Sequence, residues 1–327
     1  MCTTKKMLIK ISLIMILIIT AFLVRNSLSQ ESFPNRPITV VVPFGPGMSD
    51  TIGRIICRIA EKELGQPIIV ENKPGAGGLI GANYVFKSKA DGYTLGIPMT
   101  SVYIIFPHTR TVPYNPLTDA IDIATLYKYN FGLAVRSDAP WSTYEDVIAY
   151  ARKNPGKFTY ACAGVATTQD ICMSRIGMKE EIKWTVVPFK SGAEAVAACL
   201  GGHTDAVVQG SIDEVPHIKG GKLKLLLTLD DKRWPEFRDV PNILEKGYNF
   251  FAFSWGVLSA PKGVPETIIK KLEDVFNKSK RDPSYIEALD KFKVEVGDLS
   301  GKEYSDLWRS KYDEMGKVLK ALGLVEK

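Results

Sequence analysis

Two short runs of small residues carry the groups in this sequence best suited to holding a small anion. The first is Pro43-Phe44-Gly45-Pro46-Gly47-Met48-Ser49-Asp50, and the second is Cys162-Ala163-Gly164-Val165-Ala166-Thr167-Thr168-Gln169. Small residues let backbone approach a ligand. A helix that begins beside such a loop aims unpaired N–H groups and a partial positive charge at it. Thr167 and Thr168 add hydroxyl donors at a helix start, so two facing loops could hold a carboxylate without any arginine. Simple N-capping by Thr167 is the competing account of that residue. Met99-Thr100-Ser101 follows a third apolar stretch, where the binding loops of open α/β sheets gather, which makes Thr100 and Ser101 candidates too. Phe44 and Phe189 each follow a proline at the end of a β-rich run, where they could line a cleft or pack in the core.

These loops need strands and helices to position them, and the apolar pattern supplies both. Ile38-Thr39-Val40-Val41-Val42 reads as a short buried strand. The helix after it has Ile52, Ile55, Ile56, Ile59 and Ala60 on one face, Asp50 as candidate N-cap and Gly65 as stop. Strands at 67–70 and 93–97 flank a helix at 79–89, an order that argues for a parallel sheet with right-handed crossovers. A second set starts near Phe131. It has strands at 132–135, 158–161, 183–187, 205–208 and 222–229, a helix opened by the capping box Ser142-Thr143-Tyr144-Glu145, and another at 193–200. An apolar strand at 250–258, a helix at 265–280 and a last helix opened by Ser300-Gly301-Lys302-Glu303 complete the chain. The expected fold class is α/β in two domains, one from 31–132 with 255–327 returning to it, the other 133–254, with a cleft between them.

Bulk properties narrow the function. The 327 residues and 45% hydrophobic content suit two ordinary cores. Lys5, Lys6 and Lys10, the apolar run 11–24 and Ser27-Leu28-Ser29 read as a signal peptide over 1–29, which points to export. An uncleaved anchor is the alternative. That leader holds four of the 42 basic residues and no acid, so the remainder carries 38 bases against 36 acids and is nearly neutral. No basic block with interleaved aromatics supports nucleic-acid binding. Cys57, Cys162, Cys172 and Cys199 match no metal spacing, and buried free thiols are preferred to disulfides. Neither a metal nor a cofactor is expected. Gly75-Ala76-Gly77-Gly78-Leu79-Ile80-Gly81 misses the dinucleotide fingerprint because Ile80 stands where glycine is required, and a tight turn with close helix packing explains it better. No G-x-S-x-G occurs, and His108, His203 and His217 lack zinc-protease spacing, so an enzyme, a secreted hydrolase for example, has no evident nucleophile and base.

Longer motifs carry a family resemblance. Phe33-Pro34-Asn35-Arg36-Pro37-Ile38-Thr39, Leu64-Gly65-Gln66-Pro67, Val70-Glu71-Asn72-Lys73-Pro74-Gly75-Ala76-Gly77-Gly78 and Asp91-Gly92-Tyr93-Thr94-Leu95 resemble the Bug family. So do Val187-Pro188-Phe189-Lys190-Ser191-Gly192, Gly201-Gly202-His203-Thr204-Asp205, Pro216-His217-Ile218-Lys219-Gly220-Gly221-Lys222-Leu223, Asp239-Val240-Pro241 and Ser254-Trp255. These are extracytoplasmic substrate-binding receptors of tripartite tricarboxylate transporters, and the likeness covers essentially the whole mature chain. It implies a two-domain periplasmic-binding-protein fold, type II-like, that captures a small organic carboxylate and delivers it to membrane permease subunits, without catalysis and as a monomer. A sensor subunit reporting ligand occupancy to a signalling partner is the alternative role. By position the resemblance points to Phe44, Met48, Ser49, Thr100, Ser101, Gly164, Thr167 and Thr168, with Phe189 and Gln209 as weaker choices. Two departures stand out. The first loop lacks the usual Gly-Gly pair and is one residue shorter before Asp50. Asp170 stands where a histidine is common, and Gln209 replaces an acidic residue, which argues against amino-acid ligands that need a carboxylate partner. The residues leave open whether the ligand is a linear dicarboxylate, a tricarboxylate or an aromatic acid.

Overall fold

The computed structural model describes residues 33–325, and the elements below all lie from Pro37 onward. The expected signal peptide lies outside the described residues. Chain order begins β1 (Ile38–Val42), α1 (Met48–Leu64), β2 (Ile68–Asn72), α2 (Leu79–Phe86) and β3 (Thr94–Gly96). Two short helices, α3 (Thr100–Ile104) and α4 (Phe106–Thr109), lead to β4 (Ala120–Lys128). Next come β5 (Phe131–Arg136), α5 (Tyr144–Lys153), β6 (Thr159–Cys162), α6 (Thr168–Glu180), β7 (Thr185–Pro188), α7 (Gly192–Leu200), β8 (Ala206–Gly210), α8 (Ser211–Lys219) and β9 (Leu223–Thr228). The chain ends with β10 (Trp255–Pro261), α9 (Glu266–Ser279), α10 (Pro283–Phe292), β11 (Glu295–Val296) and α11 (Gly301–Ala321).

Two sheets result. The first has strand order β11-β4-β10-β3-β1-β2, and the second β7-β6-β8-β5-β9. β1, β2 and β3 run parallel, as their β-α-β-α-β order requires, but β10 is antiparallel to both β3 and β4. In the second sheet β6 is parallel to β7 and β8, whereas β5 is antiparallel to β8 and β9. Both sheets are therefore mixed. The chain passes from one to the other at 129–130 and again over 229–254, and the Tyr129 N–H donates to the Ser254 carbonyl at 2.8 Å where these crossings meet.

β4 has no counterpart in the sequence reading, because Asp122 and Thr125 break its apolar run. Both are buried and fully engaged. Asp122 Oδ1 accepts from Tyr103 (2.7 Å) and Ser259 (2.9 Å), and Oδ2 from Ser305 (2.8 Å) and the Trp308 indole (3.0 Å). One carboxylate thus ties β4, α3, β10 and α11 together, and α11 adds Tyr304, Trp308, Met315 and Leu319 to the core beside the first sheet.

Helix boundaries follow local chemistry with two corrections. α5 is capped by Thr143, one residue after the expected Ser142, since Asp146 rather than Glu145 closes the box. Asp50 does not cap α1, which starts at Met48 after Gly47 and has no side-chain cap. Gly65 stops α1 in the left-handed region (φ 68°), and Ser300 with Glu303 boxes the start of α11 as expected. Cys57, Cys162, Cys172 and Cys199 are free and buried. Burial pushes the Cys57 thiol up to about 12, which keeps it protonated and unreactive.

Candidate functional site

A cleft with about 690 Å³ of unfilled space, part of it open to solvent, lies where the two sheets' loops meet. That size suits a small metabolite. From the first lobe come Phe44 to Ser49, Met99 and Ser101. The second contributes Ala163, Thr167, Thr168, Gln169, Lys190, Ser191, Gly192, Gln209 and Asp213, while Tyr129, Phe131 and Ser254 stand at or beside the crossings.

The first loop is held from behind. Asp50 accepts from Arg54 Nε at 2.9 Å and Asn72 Nδ2 at 2.9 Å, and the same Asn72 amide donates to the Phe44 carbonyl at 2.8 Å. Since Asp50 is occupied in this way and Gly47 has no side chain, the first-turn N–H groups of α1 are left to solvent or a ligand. Ser49 Oγ and the Tyr129 hydroxyl lie 2.5 Å apart, linking the start of α1 to the crossing, and the Tyr129 and Phe131 rings stack at 5.5 Å. Phe44 packs where a side chain at Gly78 would stand, 3.1 Å from an added Cβ.

The second loop is shaped by Asp170. It accepts from the Tyr160 hydroxyl and the Ala166 N–H, both at 2.6 Å, so the residue that departs from the family pattern clamps the loop from outside the cleft. Burial raises its carboxyl pKa, and those two hydrogen bonds oppose the shift. Thr167 occupies the N-cap position of α6 but makes no capping bond there; its hydroxyl donates to the Gly164 carbonyl at 3.2 Å. α1 and α6 therefore both begin uncapped by side chains, and residues of both first turns line the cleft.

Of the sequence candidates, Phe44, Met48, Ser49, Ser101, Thr167, Thr168 and Gln209 line this cleft. Three do not. Thr100 is fully buried, its Oγ1 accepting from the Trp255 N–H at 3.1 Å and pairing with the Tyr304 hydroxyl at 3.1 Å. Gly164 serves by conformation, its left-handed φ of 97° turning the carbonyl toward Thr167 and Cys162. Phe189 packs against the core around Val196, Cys199 and Trp234. Sequence reasoning passed over Tyr129, Phe131, Lys190, Gly192 and Asp213. The Lys190-Ser191-Gly192 run directly follows Phe189, and residue type alone does not show that these three, unlike Phe189, line the cleft.

Asp213, in the first turn of α8, is the acid among the residues lining the cleft. Burial pushes its carboxyl up to about 6 from 3.8. The ligand-free fold then holds that proton more tightly than the unfolded chain does. The associated stability is complete below 3.8 and lost as pH rises through about 6. Asp213→Asn is expected to raise the thermal midpoint of the ligand-free protein over wild type at about pH 8, with the gap closing toward about pH 4. A gap independent of pH would contradict the burial cost.

Residues 52–324 match the model of the tripartite tricarboxylate transporter family receptor. The chain belongs to that family. A Cupriavidus necator relative, the UPF0065 protein in the gbd 5' region, is 37% identical over 90% of each chain. The solved structure of the periplasmic binding protein BugD superposes with a TM-score of 0.83 at 26% identity, over 90% of this chain and all of that one. MatC from Rhodopseudomonas palustris, solved with bound malate, gives 0.80 at 27%, over 88% of this chain and all of that one. This receptor thus has the two-domain periplasmic-binding-protein architecture.

Proposed function

We propose that the mature receptor works in the periplasm as a monomer, captures a small organic carboxylate in this cleft and delivers it to the permease subunits of a tripartite transporter without transforming it. The observation that carries the reading is the pair of helix starts, α1 and α6, each uncapped by a side chain and each with residues in the same cleft. Their N–H groups, with the hydroxyls of Ser49, Ser101, Thr167 and Thr168, offer neutral donors to an anion. Malate bound to the R. palustris neighbour is a ligand of the same kind. The signal over 1–29 accounts for export. Domains of 31–132 with 255–327 and of 133–254 would close on the ligand by hinging at the two crossings.

A thermal-shift screen of the mature protein against di- and tricarboxylates, aromatic acids and neutral sugars tests this. A ligand at about 100 times its Kd adds roughly 2.7 kcal/mol, worth several degrees in a protein of this size. Shifts confined to acids support the reading; shifts only with sugars, or none, overturn it. Thr167→Ala is expected to weaken the acid that binds by about 1 kcal/mol, the size of one lost hydrogen bond. An unchanged Kd by calorimetry would remove the second loop from the site.

A further inference from the structure

The helix starts account for one end of a ligand and leave the Asp213 side of the cleft unexplained. Among the described residues no donor or cation bonds the Asp213 carboxylate. Lys190, the basic side chain lining the same cleft, is exposed and forms no ion pair with it. The Asp213 carboxylate itself fills the place of a side chain at Gly192, because a Cβ added there would lie 2.1 Å from Asp213 Oδ2 and 3.0 Å from Gln209 Oε1. Gln209 Nε2 is itself buried and has no hydrogen-bond partner. An unpaired acceptor and an unpaired donor therefore sit together at a glycine, in a protein that otherwise satisfies most buried polar groups.

A carboxylate withdrawn from water is best compensated by a cation that also donates hydrogen bonds, and a neutral hydroxyl recovers less of that cost. The other groups nearby do not supply one. Tyr129 is engaged with Ser49, and Glu214 is a buried acid whose pKa burial drives well above the carboxylate range. We propose that Asp213 is the specificity-determining residue of the cleft and that the ligand is an amino-carboxylate, its protonated amine on the cleft side of Asp213 and its carboxylate at the two helix starts. This rests on the carboxylate-receptor reading. It also reverses the expectation drawn from Gln209: the carboxylate missing at that position is supplied by Asp213 at the start of the next helix.

Calorimetry of the mature protein at about pH 7.5 with succinate, malate and aspartate, and with glutarate and glutamate, tests the assignment. The amino acids are expected to bind at least tenfold more tightly than their unsubstituted counterparts, and Asp213→Asn to abolish that preference. Gly192→Ala, whose methyl would push the Asp213 carboxylate out of its position, should do likewise and carries the test if the first variant fails to fold. Wild type that binds the unsubstituted or hydroxylated acids as tightly as the amino acids overturns the subsite and leaves the receptor reading standing. A preference that survives both substitutions removes Asp213 from the role. Binding of no acid in either series overturns both.

Discussion

Asp122→Ala is expected to destabilise the protein by about 4 kcal/mol or more, read from the shift in urea midpoint at constant slope. The carboxylate accepts four hydrogen bonds from Tyr103, Ser259, Ser305 and Trp308. Bonds to a charged acceptor contribute about 1.5–3 kcal/mol each, and truncation leaves buried donors with nothing to bond. Asp122→Asn keeps the shape but turns an N–H₂ toward one pair of donors, so an intermediate loss is expected. Loss confined to below 1 kcal/mol for the alanine variant would mean that water or a rearranged side chain replaces the carboxylate. Because these donors come from α3, β10 and α11, the damage should appear in the first lobe, and hydrogen exchange should show that sheet loosening ahead of the second.

The second large effect concerns binding. Replacing Ser49 and Ser101 by alanine and Thr168 by valine removes three hydroxyls from the cleft while keeping both helix starts. At about 1 kcal/mol each, the combined loss is roughly 2–3 kcal/mol, a Kd weaker by about a hundredfold. Ser49 also pairs with Tyr129, so the Ser49→Ala single variant measures how much of the change comes through that contact. A triple variant that binds within threefold of wild type would mean that backbone N–H groups hold the anion alone.

Much of this was legible in the sequence, and the failures have a common cause. Apolar period located the three parallel strands, α1 and most of the second lobe, since those elements bury one continuous face. β4 escaped because its polar residues point inward and three of the four partners of Asp122 lie more than 130 positions away, a relation no local window contains. In the site, small-residue loops gave away both helix starts. Thr100 and Phe189 were misplaced because residue type reveals chemistry but not direction: Ser101 faces the cleft while its neighbour is locked to Trp255 and Tyr304. Asp213 was missed because nothing in its local sequence shows that it packs against Gly192, a residue on another helix, at the edge of the cleft.

The strand order of the first sheet also dictates the sequence of assembly. β10 lies between β3 and β4, although about 130 residues of chain separate β4 from it. Every strand of the second sheet, by contrast, lies within residues 131–228. The first lobe consequently cannot close until nearly the whole polypeptide has been made, since its middle is filled from the far end. For a chain made from its N-terminus, this late keystone holds half of the molecule open until β10 has emerged.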